Sequence, residues 1–81
     1  MTTFIGIKLP QRLETAPIFQ NILSKYGCNI KTRIGLHDVS DTYCAPEGVI
    51  LLEVLGEDEV IKNMLRELDS IDDIVCKFMS L

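Results

Sequence analysis

No apolar run in the sequence reaches the roughly 18 residues that a membrane helix needs, and the opening MTTFIGIK lacks the basic-then-apolar layout of a signal peptide. These absences lead us to expect a cytoplasmic chain with no membrane partner. Cysteine is scarce and odd in number: Cys28, Cys44 and Cys76 show no C-x-x-C spacing, which fits neither a secreted disulfide framework nor a zinc knuckle. Reduced thiols in a reducing compartment are the simplest account. No Lys/Arg cluster offsets a balance of 8 basic and 12 acidic residues, net charge −4, so a phosphate backbone is repelled and direct nucleic-acid binding is not expected. The glycines Gly6, Gly27, Gly35, Gly48 and Gly56 are dispersed, and no phosphate-cradling loop can be assembled from them.

What remains is an ordinary globular composition, 47% hydrophobic and 25% charged, in 81 residues. That length makes one domain, residues 1–81, with a modest core that assembly would help. Thr3 to Leu9 alternates with period two and reads as a strand ended by Pro10. Thr15 can cap a helix begun by Ala16 and Pro17, in which Phe19, Ile22, Leu23 and Tyr26 form one apolar stripe; Gly27 is placed to supply a positive φ at its end. From Cys28 to Leu36 the period returns to two, and Lys31 and Arg33 mark this strand as an edge. His37 to Glu47 is polar and reads as a loop of roughly ten residues. Val49 to Leu55, VILLEVL, has the nearly continuous apolar character of a central strand covered on both faces. Glu57 or Asp58 can cap a second helix with its stripe at Ile61, Met64, Leu65 and Leu68, and Ile74 to Leu81 alternates as a last strand.

The order β-α-β-β-α-β closes most naturally as a ferredoxin-like α+β plait: a four-stranded antiparallel sheet, fourth strand beside first beside third beside second, with two helices on one face. If Ile5, Ile7, Ile50, Leu52 and Val54 pack beneath the helices, then Phe4, Val49, Leu51, Leu55, Val75, Met79 and Leu81 lie on the open face. So many large apolar side chains exceed what a monomer usually shows to water, and a second copy of the chain is the expected cover.

Candidate chemistry is thin. His37 and Cys44, with Asp38 and Asp41 between them, could offer N, S and O donors to a soft divalent metal, but the spacing matches no known ligand pattern. The same pair lacks oxyanion donors for nucleophilic catalysis, so no enzyme activity and no cofactor are expected. Asp69, Asp72 and Asp73 read as a solvated helix-strand turn. Gln11 and Arg12 stand where a strand runs into a helix start, a place whose free amides favour an anion.

The stretch TAPIFQNILSKYG, followed by RIGL, resembles the ACT-like proteins described as iron-only hydrogenase system regulators, through Ala16-Pro17, Ile22-Leu23, Tyr26-Gly27 and Arg33-Ile34-Gly35-Leu36. The resemblance covers about the first half of the chain in motif and the remainder in element order. It implies a homo-oligomeric regulatory module that senses a small-molecule effector and acts through another regulatory protein. Its implied ligand-binding residues are Pro10, Gln11, Arg12, Asn29 and Ile30. The chain departs from amino-acid-binding ACT domains in having no glycine between Lys8 and Tyr26. Two further readings stand beside this one: a metal-responsive protein with His37 and Cys44 as ligands, and a structural interaction subunit with no ligand.

Overall fold

A computed structural model describes residues 2–9, 15–39 and 44–81, with the side chains of residues 37–39 and 44–47 outside that description. The elements follow as β1 (Thr3–Lys8), α1 (Thr15–Lys25), a single 3₁₀ turn (Gly27–Asn29), β2 (Ile30–Val39), β3 (Cys44–Val54), α2 (Asp58–Asp69) and β4 (Val75–Ser80). All neighbouring strands pair antiparallel, in the order β2-β3-β1-β4. This is the ferredoxin-like plait that the element order implies.

The core forms where two periodicities meet. Ile5 and Ile7 of β1 and Ile50, Leu52 and Val54 of β3 alternate onto one face of the sheet, and Phe19 and Leu23 from α1, Tyr26 just beyond its end, and Met64 and Leu68 from α2 pack against them. Both helices therefore lie on that one face. Leu9, Ile22, Ile30, Ile61, Leu65, Ile74 and Cys76 close the margins as partly buried neighbours. The helices are tied together at their polar edge, where the Tyr26 hydroxyl donates to Glu67 Oε2 and Lys25 Nζ donates to Glu67 Oε1 and Oε2 at 2.9 and 3.0 Å.

Several local expectations are corrected. The segment read as a loop from His37 to Glu47 is largely hairpin: His37 pairs with Glu47 and Val39 with Cys44. Polar composition hid these strand ends because an extended hairpin arm need not bury either face. Gly27 does not take a positive φ; Gly56 does, at 130°. The first helix instead winds down through the 3₁₀ turn, with Asn29 N–H donating to the Tyr26 carbonyl at 2.8 Å. Thr15 is the first residue of α1 and is buried. At α2 the Glu57 side chain makes no capping bond, and its carbonyl accepts from the amides of Val60 and Ile61 at 3.0 and 3.1 Å. Among the described residues no helix is long and apolar enough to cross a membrane.

Candidate functional site

Residues facing each other across an antiparallel ladder share a face of the sheet. The registers set Phe4 opposite Glu53 and Met79, Gly6 opposite Leu51 and Lys77, and Lys8 opposite Val49 and Val75. On the other side of β3, Thr32 stands opposite Glu53, Ile34 opposite Leu51 and Leu36 opposite Val49. The face turned away from the helices is therefore built of three successive rows of side chains, and most of them are apolar.

The expected open-face residues are on it. Leu51 is 39% exposed even at the middle of the sheet, Leu55, Val75, Met79 and Leu81 are more so, and Phe4 and Val49 are half-buried. At the centre, a Cβ on Gly6 would stand 3.6 Å from Leu51 Cδ2, ordinary contact distance, so Leu51 leans over the bare glycine backbone. Ile34 and Leu36, both about half-exposed, extend the patch onto β2. Sequence reading missed these two. Their alternation was visible, but only the pairing of Ile34 with Leu51 assigns them to this face. The polar members in these rows are Lys8, Thr32, Glu53 and Lys77; Glu53 accepts from Thr32 Oγ1 at 3.2 Å and lies 3.7 Å from Lys31 Nζ.

The second candidate region is only partly in view. Pro10, Gln11 and Arg12 lie outside the described residues. Asn29 has a structural role: its Nδ2 donates to the Leu55 carbonyl at 3.0 Å, while Leu55 N–H donates to the Asn29 carbonyl at 2.8 Å. The start of β2 is thereby fastened to the end of β3. Ile30 is partly buried against the core.

For the metal reading, the backbones of His37 and Cys44 sit on opposite arms of the hairpin, across from Glu47 and Val39 respectively, and their side chains lie outside the description. Among the described residues no group of three or more His, Cys, Asp or Glu gathers as metal donors. Cys76 is partly buried against the core, and burial, followed by the nearby Asp69 carboxylate, pushes its thiol pKa up. A thiol so placed is a weak nucleophile.

No protein-family model and no curated protein match the chain. Among solved structures, an uncharacterized protein of Thermotoga maritima superposes with a TM-score of 0.81 at 19% identity, over 99% of this chain and 95% of that one. The fold is shared. A formyltetrahydrofolate deformylase from Pseudomonas putida superposes with a TM-score of 0.57 at 12% identity, over all of this chain and 29% of the enzyme. The same plait thus spans nearly the whole of one protein and less than a third of another. At these identities the likeness concerns the fold alone.

Proposed function

We propose that the chain is a non-enzymatic, ACT-like regulatory module that works as a homo-oligomer and passes the state of a small-molecule site to a protein partner. The observation that carries this reading is the open sheet face. β3 reads as a strand meant to be covered on both sides, yet the helices supply cover on one. Leu51, Ile34, Leu36, Val75 and Met79 are then exposed together on the uncovered face, and a contiguous apolar patch commonly marks an interaction surface. A second copy placed against it would add a second apolar layer to the modest core that the chain builds itself.

The occurrence of the plait inside a much longer enzyme chain agrees with its use as an attachable module. The effector site is proposed at Pro10, Gln11 and Arg12, which fall in the sequence between β1 and α1, because the free amides of a helix start favour an anionic group. A regulator of the iron-only hydrogenase kind, with a net charge of −4, would act through another protein and not on DNA directly.

Light scattering on the wild type and on Leu51→Asp tests the assembly. The wild type is expected at a multiple of 9.1 kDa and the variant at a lower mass. Equal masses and equal melting curves for the two proteins would remove the proposal. A thermal-shift screen over amino acids, nucleotides and organic anions, repeated on Arg12→Ala, tests the effector site; shifts are expected in the wild type only.

A further inference from the structure

The two edges of the sheet are guarded unequally. β2 carries Lys31 and Arg33, its pairing with β3 is interrupted by register shifts, and Arg33 reaches back to Gln20 Oε1 at 3.2 Å and over the Phe19 ring. Charge and irregularity of this kind keep an edge from accepting a stranger. β4 has neither device. It pairs with β1 in unbroken register, carries a single charge at Lys77, and exposes Phe78 at 63%.

The hydrogen-bond phase shows what β4 offers. Thr2 and Leu81 exchange both backbone bonds, at 2.9 and 2.7 Å. Stepping back along the same register, Met79, Lys77 and Val75 also turn their amides and carbonyls inward to β1. The backbone groups of Cys76, Phe78 and Ser80 therefore face outward. Ser80 opposes Thr3 in the intervening, non-bonded phase, and their hydroxyls meet at 3.2 Å, as that phase requires.

We propose that β4 is where a second copy of this chain joins the sheet, antiparallel to its own β4, about a twofold axis through Phe78. Three features select that occupant and that register. Centred on Phe78, the pairing sets Phe78 against its twin and Cys76 against Ser80 of the other copy, so every outward group of β4 finds a partner. Centred on Lys77, it would bring like charges face to face; centred on Cys76 or Met79, it leaves outward groups of the strand unmatched. The Phe78 register also sets Lys77 beside Met79 and Val75 beside Leu81, so no charges clash and the exposed apolar residues at the two ends of the strand cover one another. On the helix side, a groove of about 250 Å³ between α2 and β4, lined by Ile61, Leu65 and Phe78 among others, would be walled by the twin's Phe78. The edge contact is separate from the open-face contact proposed above, and together the two would give an assembly larger than a dimer.

Oxidative cross-linking tests the register. In a Cys28→Ser, Cys44→Ser, Cys76→Ala background, Phe78→Cys is expected to form a disulfide-linked dimer rapidly in dilute solution, because paired Cα atoms about 5.5 Å apart lie within disulfide reach. Lys31→Cys on the opposite edge, in the same background, is expected to remain uncoupled. Cross-linking at position 78 no faster than at 31 overturns the proposal, and a monomeric wild type, as expected if a foreign strand occupies this edge, overturns it too. Should the cysteine variants fold poorly, sedimentation of Ser80→Pro decides. Removing that outward amide spares the ladder to β1 and should weaken self-association at least about tenfold; unchanged association counts against the pairing. Leu51→Asp read alongside separates the two contacts, since it touches the open face and not the edge.

Discussion

Glu67 is the residue on which the two helices most visibly depend. The Tyr26 hydroxyl bond, then the Lys25 ammonium, hold its carboxyl below the ordinary glutamate value of 4.5. A depressed pKa contributes stability that is complete above 4.5 and is lost as pH falls through the folded value. On the alkaline side, the bond to Glu67 raises Tyr26 above 10.0 and Lys25 above 10.5, so their contribution is complete below those values and fades as pH climbs past them. Glu67→Gln is therefore expected to lower the melting temperature at neutral pH and to flatten its fall between neutral and acid, measured by circular dichroism across pH. A second residue-scale prediction concerns Gly56, whose φ of 130° suits few L side chains and where an added Cβ would stand 2.5 Å from Asn29 Nδ2 and force that side chain to move. Gly56→Ala should cost about 1–3 kcal/mol in a denaturant titration by straining the backbone and displacing Asn29 from the Leu55 carbonyl.

Among the elements, α2 shows how directly pattern becomes packing. Met64 and Leu68 are fully buried against the sheet, so Met64→Ala is expected to lose about 2–5 kcal/mol. Ile18, on the outer side of α1 and 52% exposed, should tolerate Ser with a change within about 0.5 kcal/mol, read from the same titration. Such stripes were legible in the chain because a helix repeats its buried face every three to four residues, whatever it packs on. The arms of the β2–β3 hairpin were not. His37 to Val39 and Cys44 to Glu47 are held by pairing with each other, and that pairing leaves no trace in the polarity of either arm. Ile34 and Leu36 were hidden for a related reason: alternation reveals that a strand has two faces and not which of them meets the helices.

For the whole molecule, the expected consequence of two uncovered apolar features is that stability depends on concentration. The melting temperature of the wild type should rise with protein concentration, as it does whenever the folded state associates and the unfolded state does not. Leu51→Asp and Phe78→Lys should each flatten that rise, and a melting temperature independent of concentration in the wild type would contradict both contacts. The sequence by itself determined the order of the elements, the plait they close into and most of the residues that fill its core, Ile71 excepted. These follow from local periodicity and from the few ways a β-α-β-β-α-β chain can close. Tertiary structure alone decided which strand ends pair, which face Ile34 and Leu36 join, and which backbone groups of β4 point away from β1. Those depend on register, and register is a relation between segments far apart in the chain that neither segment carries on its own.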